Sequence, residues 1–250
     1  MNGKLYVAYS NSKNISVFLA GSQAKYDYPP LKVITVKEMQ YPMDIVACPI
    51  SQCCYVADSV GVWRVRDSRR DEHVDLWLDG ESKAKTLSIG AGGNVLVTEF
   101  DRLCLYSPDG NQIYCIPIYS LTDETLSPHV VGHAIESGKG FFLCQPGRSS
   151  DIMEINTSGS VIRKVSNQQG IDADYLKQPM YTVQDADNNR LFVLDCASHR
   201  VILFDGTLRL RGVLIHDHID WFKRICFVPE LRLLFLCSSY GIVEIFRVFP

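Results

Sequence analysis

Two groups of residues have side chains that could bind a divalent metal. The first is the segment HDHID, which places imidazole and carboxylate donors next to one another: His216, Asp217, His218 and Asp220. The second centres on His133 in the segment HVVGHAIE, and side chains from distant segments would have to converge on it, the candidates being Asp44, Tyr181 and Asp185. A metal site needs several such ligands in one place. The first group is typical of a solvated loop and the second is poor in acidic ligands, so we predict no metal site.

Nucleophilic catalysis and phosphate binding have equally little support. The chain contains no G-x-S-x-G motif, which would present a reactive serine on a strand-to-helix turn. The glycine-rich stretch Gly90–Gly93 lacks the Lys-Ser/Thr pair of a phosphate-binding loop. It is typical of a hairpin turn. We therefore predict neither a catalytic residue nor a cofactor, and an enzymatic function is the less favoured interpretation.

A third group of residues could contact a macromolecular partner. Cationic and aromatic side chains recur in the polar loops between apolar segments, at Lys13, Arg102, Arg148, His199, Lys223 and Tyr240. Such side chains can pair with phosphates and stack on unpaired bases, and they are equally common in protein interfaces. Acidic residues such as Asp58, Asp101 and Asp151 occupy the same loops. Because both signs of charge are present, a protein or peptide is the favoured partner and RNA the alternative.

Composition excludes several other classes of partner. The formal net charge is −3 and the sequence pI is about 6.1, so no overall attraction to DNA or to anionic membranes is expected. No apolar segment approaches the roughly 20 residues that cross a bilayer. The nine cysteines show no C-x-x-C pair and mostly lie in apolar segments. Cysteines in that setting behave as small buried hydrophobic residues, which favours a reducing, cytoplasmic location.

One unit recurs along the chain and predicts how these residues are positioned. It consists of an apolar strand, a short polar loop and a second apolar strand, and its six copies are LYVAYS/ISVF, CYVADS/VWRV, VLVTEF/LCLY, FFLCQP/IMEI, LFVLDC/VILF and LFLCSS/VEIF. The copies recur about every 40–50 residues, which is the length of a propeller blade. Further apolar segments flank the internal copies, giving four strands per unit. No helical periodicity is present.

The repeat predicts an all-β fold, a six-bladed β-propeller of four-stranded antiparallel blades in a single domain, residues 1–250. The first copy begins with its second strand and the last stops after its third. The first and last blades are therefore expected to have three strands each, 22 strands in total. The loops that carry the candidate partner-binding residues are expected to lie on one face of the propeller.

The fifth copy resembles the NHL repeat. In the segment from Asn188 to Asp205, a strand ending in Asp195 is followed by Ser198-His199-Arg200, where the NHL pattern has Asn-His-Arg. The second copy has a similar strand ending in Asp58, followed by Val60-Gly61-Val62 in place of that triplet. The other copies share only the apolar pattern.

The resemblance implies roles for these residues and suggests functions for the chain. Asp195 is expected to hold the loop, and Arg200 to pair with a carboxylate, so that both are structural. The propellers of TRIM-NHL ubiquitin ligases bind RNA or protein, whereas related propellers include metal-dependent lyases and lactonases. The prediction is a non-catalytic module that binds a protein or peptide through its loop face. RNA binding on that face is the alternative, and a hydrolase or lyase with a small molecule in the central channel is the second alternative.

Overall fold

The structure, a computed structural model, describes residues 3–19, 29–67, 72–79, 84–99, 101–118, 132–146, 150–166, 176–215 and 222–249. These residues form 22 strands in six antiparallel sheets, the blades, and contain no α-helix. The fold is all-β, as predicted. The chain divides into two compact units, residues 1–115 and 116–250, with the boundary inside the last strand of the third blade.

Unit 1 contains blades 1 to 3. Blade 1 comprises β1 (Lys4–Ala8), β2 (Asn14–Leu19) and β3 (Lys32–Thr35). Blade 2 comprises β4 (Asp44–Cys48), β5 (Cys53–Ala57), β6 (Val62–Asp67) and β7 (Glu72–Leu78). Blade 3 comprises β8 (Thr86–Ile89), β9 (Val95–Thr98), β10 (Arg102–Tyr106) and β11 (Gln112–Pro117). In each blade the strands lie side by side in chain order.

Unit 2 contains blades 4 to 6. Blade 4 comprises β12 (Ala134–Ser137), β13 (Gly140–Gln145), β14 (Asp151–Ile155) and β15 (Val161–Val165). Blade 5 comprises β16 (Pro179–Asp185), β17 (Arg190–Asp195), β18 (Arg200–Asp205) and β19 (Leu210–Ile215). Blade 6 comprises β20 (Phe222–Val228), β21 (Leu233–Ser238) and β22 (Val243–Arg247). The first and last blades have three strands each, as predicted.

Apolar side chains hold neighbouring blades together within each unit. In unit 1, one cluster joins blades 1 and 2 around Ile15, Ile34 and Val56, and another joins blades 2 and 3 around Tyr55 and Trp77. In unit 2, the corresponding clusters join blades 4 and 5, and blades 5 and 6. Both faces of blades 2 and 5 are therefore buried, which explains why their paired strands are apolar along most of their length rather than strictly alternating.

Short turns connect the strands where the sequence contains glycine, proline, asparagine or serine. Four single-turn 3₁₀ helices occur among the described residues, at Ala91–Gly93, Ala186–Asn188, Cys196–Ser198 and Pro229–Leu231. The first joins two antiparallel strands, so Gly90–Gly93 is a hairpin turn, as predicted. None of these helices, the only ones in the described part of the chain, is long and apolar enough to cross a membrane.

Candidate functional site

The loops that carry the candidate partner-binding residues lie at corresponding ends of the blades within each unit. Lys13, His199 and Tyr240 lie in the turns β1–β2, β17–β18 and β21–β22, and the first two turns contact the segment that leads into a neighbouring first strand. Arg102 is the first residue of β10 and Lys223 lies within β20, so the expectation that these two lie in loops was wrong. In unit 2 the backbone N–H of His133 donates to Met180 O at 2.8 Å. This bond joins the residue just before β12 to the second residue of β16, so the first strands of blades 4 and 5 begin side by side. We call this end of each unit its loop end.

Asp195 anchors the loop end of blade 5. It ends β17 and is fully buried, and it accepts hydrogen bonds from the backbone N–H groups of Lys177 (3.0 Å) and Gln178 (2.5 Å). It also accepts one from the Ser198 hydroxyl at 2.5 Å, across the loop that follows. The carboxylate therefore joins the segment before the blade to the loop between its second and third strands.

Asp58 has the same role in blade 2. Its carboxylate accepts the backbone N–H groups of Gln40 (2.8 Å) and Tyr41 (2.6 Å) and the indole N–H of Trp63 (3.2 Å). Burial acts to raise the pKa of Asp58, but these donors outweigh it, so the pKa lies below its ordinary value. The two aspartates that carry the sequence resemblance thus each accept two consecutive backbone N–H groups from the segment before their blade and a side-chain donor.

The neighbours of Asp195 also have structural contacts. Arg200 Nε donates to the Ser198 hydroxyl at 2.8 Å and lies 3.9 Å from the Asp195 carboxylate. His199 is half-buried and ends the 3₁₀ turn with φ 52°, in the left-handed region. Its backbone conformation lets the chain reverse into β18. The expected pairing of Arg200 with a carboxylate is present, although at the limit of an ion pair.

The predicted partner-binding residues of unit 2 lie near one another. Tyr240, in the loop after β21, is 71% exposed. Lys223 is exposed near the start of β20, beside Phe222, whose register partner Ser238 is the last residue of β21. Phe222 also packs in one apolar cluster with Cys196, which lies in the turn that ends at His199. Lys223, His199 and Tyr240 therefore belong to one surface, the loop end of blades 5 and 6.

The remaining predicted residues are less clearly grouped. In unit 1, Lys13 is exposed and its ammonium donates to the Lys37 carbonyl at 2.6 Å, so it lies against the segment between blades 1 and 2. Arg102 is exposed in blade 3, where its guanidinium lies 3.0 Å from the Asp101 carboxylate and 3.3 Å from Glu99. Arg148 lies outside the described residues, as does the HDHID segment.

A stack of three side chains at the inner strands of unit 2 was not identified from the sequence. The rings of His133 and Tyr181 are stacked with centroids 5.0 Å apart, and the Arg224 guanidinium lies 4.3 Å above the Tyr181 ring. Tyr181 in β16 and Arg224 in β20 occupy equivalent positions in the first strands of blades 5 and 6, and they lie opposite Leu194 and Cys237. A cation on an aromatic face contributes about 0.5–2 kcal/mol, so the stack stabilises the contact between the blades.

The same register position is polar in unit 1. Asp44 in β4 lies opposite Ala57, and Thr86 in β8 lies opposite Thr98. The Asp44 carboxylate accepts the backbone N–H of Leu87 at 2.8 Å, which joins blades 2 and 3. Aligning the copies on Asp58, Glu99, Asp195 and Ser238 would have brought these positions together, because each lies opposite the residue just before one of those four.

The described residues include no metal-binding cluster, and the thiols near the loop end of unit 2 are protonated. Within the described ranges, no group of three or more His, Cys, Asp or Glu side chains could hold a metal ion. Burial raises the pKa of Cys196 and of Cys237 to about 11, so both thiols near the loop end of unit 2 are protonated at neutral pH. One cysteine pair departs from the expectation of free thiols, since Cys104 in β10 is joined to Cys115 in β11 by a disulfide.

Comparison with known proteins shows the fold. A crystal structure of a protein of unknown function from Bacteroides caccae superimposes with a TM-score of 0.69 and 13% sequence identity, covering 94% of this chain and 82% of that one. Kuenenia stuttgartiensis hydrazine synthase superimposes with a TM-score of 0.67 and 12% identity, covering 98% of this chain and 92% of that one. No protein family and no curated protein matches the sequence. The fold of this chain is a six-bladed β-propeller.

Proposed function

We propose that the chain is a non-catalytic, NHL-like interaction module that binds a protein or peptide through its loop ends. The observation that carries this proposal is Tyr240, a large aromatic side chain that is 71% exposed at a loop end. Exposed aromatic residues are enriched in protein interfaces because they bury a large area with few rotatable bonds. A cytoplasmic location accompanies the proposal on the basis of the five buried free cysteines, and the Cys104–Cys115 disulfide is the observation against it.

The anchoring of the loops supports the proposal. Asp58 and Asp195 each hold the loop of their blade to the preceding segment through two backbone N–H groups. In blade 6 the Ser238 hydroxyl accepts the backbone N–H groups of Tyr240 and Ile242, both at 3.2 Å. Loops fixed in this way lose little conformational entropy on binding, which favours affinity. The same two aspartates carry the resemblance to the NHL repeat.

RNA is the second candidate, and one observation favours it. In unit 2 an exposed cation, Lys223, accompanies the exposed ring of Tyr240 at the same loop end. A cation beside a free aromatic face can pair with a phosphate while a base stacks on the ring. The acidic residues near Arg102 in unit 1 act in the opposite direction and favour a protein partner.

The proposal can be tested with a variant that changes only exposed loop-end residues: Lys13→Glu, Arg102→Glu, Lys223→Glu and Tyr240→Ala. A matched control carries Lys139→Glu and Leu231→Ala, which change an exposed cation and an exposed apolar residue in hairpins at the opposite end of the blades in unit 2. Each purified protein is immobilised and incubated with cell lysate, with and without ribonuclease, and the retained proteins and RNA are quantified.

We expect the wild type and the control to retain the same proteins after ribonuclease treatment, and the loop-end variant to lose most of them. Retention that depends on intact RNA and falls steeply between 50 and 200 mM salt, by a factor of about 10³ or more for six or more phosphate contacts, would support the RNA alternative instead. Equal retention by the loop-end variant and the wild type would exclude both.

A further inference from the structure

Strand β22 is the third strand of blade 6, and no described strand pairs with its outer edge. In blades 2 to 5 the third strands β6, β10, β14 and β18 each pair with a fourth strand, and most of their residues are buried. None of the five residues of β22 is buried, and Ile245 is 38% exposed. Among the described residues, β22 is therefore more exposed than the third strands that have a fourth-strand partner.

The register of blade 6 shows which backbone groups point outward. Ile242 O accepts the Ser238 N–H at 2.9 Å and the Val248 N–H donates to Arg232 O at 2.8 Å, so the even-numbered residues of this segment form their backbone bonds with β21. In an antiparallel strand alternate residues bond to opposite sides. The N–H and C=O groups of Val243, Ile245 and Arg247 therefore face the outer edge.

The edge is held in place before any partner arrives. The Arg190 guanidinium donates to the Phe249 carbonyl at 2.5 Å, which fixes the chain just after β22 to blade 5. Together with the bond from Val248 to Arg232, this contact holds both the strand and the residues that follow it. An ordered edge of this kind is a template for an additional strand.

An apolar cleft between blades 5 and 6 opens beside this edge. It is lined by Val201 and Leu214 of blade 5 and by Leu236 and Phe246 of blade 6, among other residues. Leu214 is 48% exposed. In blade 5 the fourth-strand residue Val213 lies opposite Ile202 and packs into the cluster between blades 4 and 5. Ile202 in β18 and Glu244 in β22 occupy equivalent positions, because each lies opposite the residue two before the end of the preceding strand. A fourth-strand residue opposite Glu244 would therefore correspond to Val213 and would pack against the neighbouring blade 5, beside Leu214.

We propose that blade 6 binds an extended segment of another protein as its fourth strand, antiparallel to β22. Blade 2 indicates which residues that segment should contain. Arg66 in β6 and Arg247 in β22 are equivalent residues of the third strands of their blades. Arg66 and its neighbour Arg64 are paired with Asp75 of the fourth strand, at 3.3 and 2.7 Å. The bound segment therefore has an apolar residue opposite Glu244 and an acidic residue within reach of Arg247.

A second copy of the chain fits this edge less well. In a symmetric antiparallel pair the residues that lie opposite each other are both even-numbered or both odd-numbered, because opposed side chains share a face. Arg247 could then face only the odd-numbered residues Gly241, Val243, Ile245, Arg247 or Phe249 of the other copy. None of these is acidic, so self-pairing leaves the exposed cation without a counter-charge. This edge site is separate from the loop ends, and its test does not depend on them.

The test uses a fluorescent synthetic peptide with the sequence of residues 72–79, the fourth strand of blade 2, titrated with the purified chain. It carries both the apolar residue, Leu76, and the acidic residue, Asp75. We expect saturable binding that weakens at least about tenfold in Ile245→Pro, which removes an outward-facing N–H and leaves the bonds to β21 intact. Ile245→Ala is the matched control, because it shortens the side chain and keeps the N–H.

A charge exchange keeps the test decisive if the proline variant does not fold. Arg247→Glu should weaken binding of the original peptide about five- to tenfold, and a peptide with Asp75→Lys should recover most of that loss. Tyr240→Ala should leave binding of both peptides unchanged. The proposal is overturned by undiminished binding in folded Ile245→Pro and Arg247→Glu, or by no saturable binding at about 1 mM peptide. Sedimentation showing a dimer that Ile245→Pro abolishes would assign the edge to a second copy and would also overturn it.

Discussion

Asp58 and Asp195 show how backbone donors stabilise a buried carboxylate. A buried carboxylate is costly unless donors surround it. Both side chains are fully buried and accept two consecutive backbone N–H groups each, together with a side-chain donor. Those N–H groups belong to segments outside any strand, which have no ladder partner. The carboxylates therefore satisfy backbone that the blades leave unpaired.

Replacement of Asp195 by alanine should destabilise the protein and leave binding per folded molecule nearly unchanged. The backbone N–H groups of Lys177 and Gln178 would lose a buried, charged acceptor. We expect a loss of about 2–4 kcal/mol in the free energy of unfolding, which lowers Tm by roughly 5–15 °C in a chain of this size. Thermal unfolding followed by circular dichroism measures this change.

Asp187→Ala is the matched control for that measurement. Asp187 is an exposed aspartate in the same blade, within the 3₁₀ turn Ala186–Asn188, and its removal should change Tm by no more than a degree or two. If Asp195→Ala keeps the wild-type Tm but loses the bound partner, then Asp195 contacts the partner directly, and its assignment as a structural residue is wrong.

The sequence contained enough information to predict the strands and the anchoring aspartates, but not the contacts between blades. Paired apolar segments and turn residues are local patterns, so all six blades and their three-stranded ends follow from them. The stack of His133, Tyr181 and Arg224 joins three segments far apart in the chain, and it depends on which register each inner strand adopts. Likewise, the Cys104–Cys115 pair depends on the pairing of β10 with β11, which no spacing of the cysteines signals.

At the scale of a blade, the close approach of neighbouring strands restricts individual glycines. Gly140 begins β13 with φ 159°, and a Cβ atom there would overlap the carbonyl oxygen of Ile155 in β14. Gly140→Ala should therefore push the two strands apart and reduce the free energy of unfolding by at least about 2 kcal/mol. Urea unfolding, with the midpoint and the m-value fitted separately, measures this loss.

Gly138→Ala tests whether the effect comes from that contact rather than from glycine flexibility. Gly138 lies in the same hairpin, two residues earlier, and a Cβ atom there has no neighbour within 4 Å. We expect this variant to be as stable as the wild type or slightly more stable, because alanine reduces the freedom of the unfolded chain. Equal losses in the two variants would show that the hairpin tolerates no side chain at all, and that the contact between β13 and β14 does not explain the result.

At the scale of the whole molecule, the burial of the cysteine side chains shows how closely neighbouring blades pack within each unit. Seven cysteines are free, and five of them are buried, in both units. Cys48, Cys53 and Cys54 lie in the clusters of unit 1, and Cys144 and Cys196 lie in those of unit 2. Burial raises the pKa of Cys54 and of Cys144 well above the ordinary value, so these thiols are both shielded and protonated.

A thiol-reactive reagent should therefore distinguish a well-packed chain from a loosely packed one. In the native protein at pH 7 we expect one rapidly reacting thiol, that of the exposed Cys226, and a slow reaction at Cys237, whose pKa burial raises to about 11. All seven free thiols should react in denaturant. Ellman's reagent, followed by absorbance, gives both counts, and Cys226→Ser should remove the rapid phase while leaving the rest unchanged. Rapid reaction of three or more thiols in the native protein would show that the contacts between neighbouring blades open readily, because the buried cysteines can be reached only where two blades separate.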